Sequence, residues 1–209
     1  MISIKMKFNS SLLRWKDIFK RIAGKGIYPH ELSFLLDSPI RKLILSPKKL
    51  VDRLHVSNNS KVLEIGSGPG YFSIEVAKRI PDGFLVLFDI QYEMLKKVSM
   101  KLERERIKNA IAVQGNAIIL PFNIGVFDMV FLVTVLGEVE DPNICLHSIN
   151  KVLRVGGILS ITEMEGDPDA LSQDEINQLV VNNGFVFLEK YPSFKGFTVN
   201  YKKISQCSG

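Results

Sequence analysis

At 209 residues, 46% hydrophobic and 23% charged, the chain has the make-up of one ordinary globular domain with a full core. No apolar run approaches the roughly 18–20 residues needed to span a bilayer, and the chain start lacks the uninterrupted apolar segment of a secretory signal. Two cysteines, Cys145 and Cys207, exclude a disulfide framework, and cytoplasmic residence is the expectation.

The net charge of +5 is unevenly spread. Residues 1–53 hold 12 Lys/Arg against 4 Asp/Glu, a balance of +8, so the remaining 156 residues carry −3. A basic extension on a slightly acidic body suits an anionic partner: a membrane surface, a phosphate-bearing substrate or nucleic acid. A solvated helix face with no partner is the plainer alternative.

Residues 11–23 read as an amphipathic helix, with Leu12, Trp15, Phe19 and Ile22 at helical spacing and Arg14, Lys16, Lys20 and Arg21 between them. Residues 11–25 are therefore a candidate for peripheral membrane contact; packing on the domain as a lid or brace is the commoner use of such a face. Tyr28, His30 and Glu31 follow, ahead of an apolar run; they face a substrate if this segment folds over the site, and otherwise decorate the surface of a helix with Pro29 in its first turn. Ser46-Pro47 is a cap followed by proline at the first helical position, starting a helix through Leu54. Residues 1–45 are expected to form a helical lid or extension, and 46–209 the core of a single domain.

From Lys61 strands alternate with helices. Strands are predicted at 61–65, 84–88 ending at Asp89, 110–114, 129–135 and 158–162, and helices at 71–80, 91–106, 142–153 and 173–183. Asp141-Pro142 caps the third of these helices. Ser172 and Glu175 have capping-box spacing for the fourth, and Gly184 ends it. Residues 185–191 and 197–203 make a hairpin. The alternation predicts an α/β fold with a parallel sheet covered on both faces, and the hairpin requires at least one antiparallel strand.

The stretch Glu64-Ile-Gly66-Ser67-Gly68-Pro-Gly70 links the first strand to its helix. A phosphate-binding P-loop needs Lys-Ser/Thr after its last glycine, where Tyr71-Phe72 stand. A dinucleotide fingerprint needs its third glycine at position 71, which is Tyr71, so NAD is disfavoured. Asp89 ends the second strand 19 residues beyond Gly70. An ionised carboxylate there accepts two hydrogen bonds from a ribose diol, and Glu64 is placed to meet an ammonium group, directly or through water. A ligand with a diol and an amino-acid tail is S-adenosylmethionine.

With Gln114-Gly-Asn116-Ala117, Leu120-Pro121, Phe127-Asp-Met-Val130 and Leu153-Arg-Val-Gly-Gly157 following in order, the chain resembles the class I S-adenosylmethionine-dependent methyltransferases. It is most similar to the small-molecule branch that includes the ubiquinone- and menaquinone-pathway enzymes. The resemblance implies a doubly wound, Rossmann-like sheet of seven strands, mostly parallel, with the last strand antiparallel between the fifth and sixth. It implies that Gly66, Ser67, Gly68 and Gly70 pass under the methionine and ribose, that Asp89 holds the ribose hydroxyls, and that Ile90 packs on the adenine. The Asn116-Ala117 loop would read the adenine's amino edge; the family usually has Asp where Asn116 stands. Val133 and Thr134 would line the methionine portion.

The acceptor is not written in these motifs. The nucleic-acid amino-methyltransferase signature is absent, since Thr134-Val-Leu-Gly-Glu138 occupies its place, and no large insertion separates the fifth and sixth strands. A small-molecule or lipid-like acceptor is the expectation. Tyr28, His30 and Glu138 are the candidates for a base, and no metal site is assigned. The alternatives are a non-catalytic module of the same fold and a membrane-associated lipid methyltransferase using the basic helix.

Overall fold

A computed structural model of the chain describes residues 45–205. The lid expected within residues 1–45, with Tyr28, His30 and the membrane-contact segment 11–25, lies outside the described residues but for Leu45. The described part begins with α1 (Pro47–Arg53), where Ser46 accepts the Lys49 N–H as a side-chain cap and Pro47 occupies the first helical position. There follow β1 (Lys61–Ile65), α2 (Ser73–Arg79), β2 (Phe84–Asp89), α3 (Tyr92–Arg104), β3 (Ala110–Gln114) and β4 (Phe127–Val133). A 3-10 turn (Leu136–Glu138) leads to α4 (Pro142–Val152), β5 (Leu153–Glu163), α5 (Gln173–Asn182), β6 (Phe185–Ser193) and β7 (Gly196–Lys203).

The seven strands form one sheet in the order β3-β2-β1-β4-β5-β7-β6. The first five are parallel to their neighbours; β7 runs antiparallel between β5 and β6. This is the doubly wound arrangement expected, including the inserted last strand.

Both faces of the sheet are buried, which is why its central strands are apolar at nearly every position. On one face Leu63, Val130, Leu159 and Ile161 pack with Leu146 and Ile149 of α4 and Ile176 and Val180 of α5. On the other, Val62, Leu87 and Phe131 meet Leu50 of α1, Val76 of α2 and Val98 of α3. Each such side chain contributes about 1.5–3 kcal/mol relative to exposure.

Two strands differ most from the sequence reading. β4 starts and ends two residues earlier than expected, because Thr134 turns the backbone to φ 54° and leaves the strand. β5 begins at Leu153 rather than at Ile158; the register slips between Phe127 and Met129 of β4, absorbing the Arg154–Gly157 stretch within the strand. Asp128, at the amino-terminal end of β4, is structural. It accepts the Lys61 N–H (2.8 Å) and pairs with Arg154 (2.6 Å). His55, just past α1, has φ 52° and joins Glu189 and Tyr191 of β6.

Candidate active site

β1 lies between β2, toward which the chain winds first, and β4, toward which it winds next. At that reversal the loops from the carboxyl ends of adjacent strands separate and leave a crevice. The glycine loop lies there. Its start is tied across to β2, with the Gly66 and Ser67 N–H groups both donating to the Phe88 carbonyl (2.7 and 3.4 Å).

The three glycines have different reasons. A Cβ on Gly66 would lie 2.3 Å from Val135 Cγ2, and one on Gly70 would lie 2.3 Å from Val98 Cγ2. These two permit close packing of the loop on the segment after β4 and on α3. Gly68, at φ 53°, faces open space, with none of the described residues within 4 Å of its would-be Cβ.

Asp89 closes the loop from the side. Its Oδ2 accepts the Gly68 N–H and its Oδ1 accepts the Gln91 N–H, both at 2.8 Å. Burial pushes this carboxyl above its ordinary value, while backbone hydrogen bonds from Gln91, Gly68 and Ile90 pull it back. Each oxygen keeps lone-pair capacity for a further donor. Ile90, beside it, is 43% exposed although apolar.

Glu64 is buried, and Ser73 at the start of α2 donates its hydroxyl to Oε2 at 2.6 Å. Ser67 Oγ is buried without a partner among the described residues. Across β2 and β3, Gly115 donates to the Asp89 carbonyl (3.1 Å), and Asn116 Oδ1 accepts the Ile118 N–H (3.1 Å), which fixes the loop carrying Ala117. On the other side, Val133 is buried at the end of β4, and Thr134 donates its N–H to the Thr162 carbonyl at 2.8 Å. A β-branched residue at φ 54° costs about 1–3 kcal/mol, and such strain clusters at working sites. Glu138 ends the 3-10 turn that follows.

Thus the carboxyl edge brings together Glu64, Gly66, Ser67, Gly68, Gly70, Asp89, Ile90, Asn116, Ala117, Val133 and Thr134. The sequence reading missed Glu163, the last residue of β5, which is 2% exposed and whose Oε1 has no hydrogen-bond partner among the described residues. A carboxylate closing a buried apolar strand at the carboxyl edge was the available signal. A polar depression lined by His55, Ser57, Asn59, Asp128 and Arg154 lies at the opposite, amino-terminal edge of the sheet, away from these groups.

A family model described as a methyltransferase domain matches residues 56–188. The chain belongs to this methyltransferase family. The methyltransferase is 37% identical over 105 residues to the ubiquinone/menaquinone biosynthesis C-methyltransferase UbiE of Shewanella sp. strain W3-18-1, covering 49% of this chain and 42% of that protein. It is 32% identical over 149 residues to the protein of the same name from Idiomarina loihiensis, covering 70% and 57%. The chain thus spans about half the length of the curated relatives it matches. Its fold is similar to that of a SAM dependent methyltransferase from Aquifex aeolicus, with a TM-score of 0.81 at 19% identity over 85% of this chain and all of that one.

The structure from Aquifex aeolicus is that of a SAM dependent methyltransferase, and the residues present at this edge fit S-adenosylmethionine. A buried carboxylate with spare acceptor capacity, an exposed apolar side chain beside it, an open glycine and an orphaned buried hydroxyl on Ser67 suit a diol, a purine face, a close-lying ligand backbone and a polar tail.

Proposed function

We propose that the chain methylates a small, largely apolar hydroxylated ring of quinol type, using S-adenosylmethionine bound at the crevice between β1 and β4. The observation that carries the cofactor half is the Asp89 carboxylate held by the Gly68 N–H beside open space. The acceptor half rests on the printed names of the relatives, which are quinone-pathway C-methyltransferases.

In this reading Asp89 accepts the ribose hydroxyls and Ile90 covers one adenine face. The loop at Asn116 and Ala117 borders the adenine edge. Gly66, Gly68 and Gly70 let the ligand lie on the main chain. Ser67 and Glu64 serve the amino-acid tail, with Glu64 acting through its charge, and Val133 and Thr134 flank the methionine portion. When bound, the cofactor supplies a methyl already activated by its sulfonium. The protein's work is then to orient the acceptor, exclude water and, for a phenolic ring, remove a proton. Residues 1–45, with their basic and apolar side chains, are proposed to cover the acceptor.

The test is transfer of labelled methyl from S-adenosylmethionine to reduced short-chain naphthoquinone by the full chain, with calorimetry for S-adenosylhomocysteine alongside. Cofactor binding with labelled quinol supports the whole reading. Binding without transfer to any phenolic acceptor refutes the acceptor half. No binding refutes both halves and leaves a non-catalytic module.

A further inference from the structure

Four strand ends form the carboxyl edge near the crevice: β2 with Asp89, β1 with the glycine loop, β4 with Val133, and then β5. Val133 pairs with Thr162, so Glu163 is the next residue of β5, one strand over from the end of β4. It is thus one strand further from Asp89 than the segment assigned to the methionine portion. That is where an acceptor would meet the transferred methyl.

Its side chain follows Leu159 and Ile161 on the face covered by α4 and α5, since alternate residues of a strand share a face. The 3-10 turn and the loop after β5 meet on that face. A Cβ on Gly137 would lie 1.7 Å from the Asp169 carbonyl oxygen, so only glycine admits this approach. Among the described residues Glu138 of the turn and Asp167 of the loop act on Glu163 as negative charges. On the β7 side it is opposite Phe197, and the nearby cation, Lys190 of β6, lies over the Phe197 ring and bonds Gln173. Among the described residues no cation and no donor pairs with Glu163, and its Oε1 is orphaned.

We propose that Glu163 is the acid–base residue of the acceptor site, taking up the hydroxyl proton of a phenol or hydroquinone ring. The ring O–H bond breaks, the proton goes to the Glu163 carboxylate, and the electron pair stays on the ring, raising the nucleophilicity of the oxygen and of its ortho carbon. The inference rests on the methyltransferase reading above. A stability role does not explain the position, because a buried carboxyl with an unused oxygen is destabilising. Burial first, then Asp167 and Glu138, push its pKa up to about 8, which is close to the value a base needs for a phenol near neutral pH.

The test uses the full-length protein, wild type, Glu163→Gln and Glu163→Asp. Calorimetry with S-adenosylhomocysteine comes first; absence of binding to wild type defeats the methyltransferase reading rather than this one. Infrared difference spectra then read the carboxyl without turnover. A protonated-carboxyl band that titrates near pH 8, is missing in Glu163→Gln and shifts when 2-naphthol is added to the S-adenosylhomocysteine complex supports the proposal. No such band, or a band unmoved by 2-naphthol, overturns it. With reduced short-chain naphthoquinone, wild-type kcat/KM rises with pH through about 8. Glu163→Gln loses on the order of 10²–10⁴-fold and that rising limb, whereas Glu163→Asp keeps the limb at a reduced rate. A Glu163→Gln enzyme with the wild-type pH profile, or within about threefold of the wild-type rate, overturns it as well.

Discussion

Replacing Asp89 by Asn is the substitution that separates cofactor recognition from loop structure most cleanly. Size and shape are kept, but one carboxylate oxygen becomes an NH2 donor. Asp89 now accepts two backbone N–H groups, from Gly68 and Gln91, each at 2.8 Å. In Asp89→Asn the amide oxygen can take one of them, and the amide nitrogen then faces the other donor. One buried N–H loses its partner, at a cost of about 1–3 kcal/mol. Relief of the carboxylate's burial, which already pushes its pKa up, offsets part of that cost. The net fall in stability should therefore stay near or below ~2 kcal/mol. For the ligand the change is larger in consequence. Two charge-assisted hydrogen bonds from the diol become at most one neutral one, a loss of about 1.5–3 kcal/mol, or roughly 10- to 100-fold in Kd. Calorimetry with S-adenosylhomocysteine at a temperature where both proteins are folded measures it. A Kd within about twofold of wild type, with only Tm lowered, would refute the diol assignment and leave Asp89 as a brace of the glycine loop.

Further outcomes follow from the same geometry. Gly68→Ala, whose Cβ enters open space, should weaken S-adenosylhomocysteine at least about tenfold while lowering stability by only ~1–2 kcal/mol for the left-handed backbone. Gly70→Ala, whose Cβ would lie 2.3 Å from Val98 Cγ2, should lower Tm far more; equal Tm losses in the two variants would contradict the division. Glu163→Gln should be more stable than wild type at pH 8, by roughly 2–5 kcal/mol if the unfolded carboxyl is ordinary. The sign follows because the folded carboxyl, at about 8, holds its proton where the unfolded chain has lost it, so wild-type stability falls between about pH 4 and 8. Chemical denaturation across that range should show the two proteins converging in acid. Glu189→Gln acts oppositely. Burial raises the Glu189 carboxyl, but bonds from Tyr191 and Asn200 and the nearby His55 outweigh it and hold the carboxyl below the usual range. Its contribution is present above the ordinary carboxylate pKa and lost as pH falls through the depressed value, so the variant's Tm deficit at pH 7 should vanish in acid.

The parts of the fold that were legible in the sequence are those where a local signal coincides with the boundary. β1 and β3 match residue for residue, and β2 ends at Asp89 where the apolar run stops. The Ser172–Glu175 capping box forms as its spacing implies. β4 was misplaced because Val133-Thr134-Val135 is a β-branched run with every strand propensity, whereas the turn of Thr134 to φ 54° and the packing of Val135 on Gly66 end the strand at Val133. That packing joins distant segments, which propensity does not encode. The same division holds for the site. Glycines at every second position and an Asp at the next strand end are local and readable. Glu163 is one of 22 acidic residues; its place after an apolar strand is legible, but its burial is not. Its character comes from burial first, with the charges of Asp167 and Glu138 adding to it, and all three are tertiary effects.

The most direct test of the central claim is a crystal structure of the full chain with S-adenosylhomocysteine. The account predicts the ribose diol on Asp89, the adenine against Ile90 and the sulfur beyond the end of β4, on the side toward Glu163. A ligand whose diol avoids Asp89, or one bound at the polar depression near Asp128 and Arg154, would contradict it.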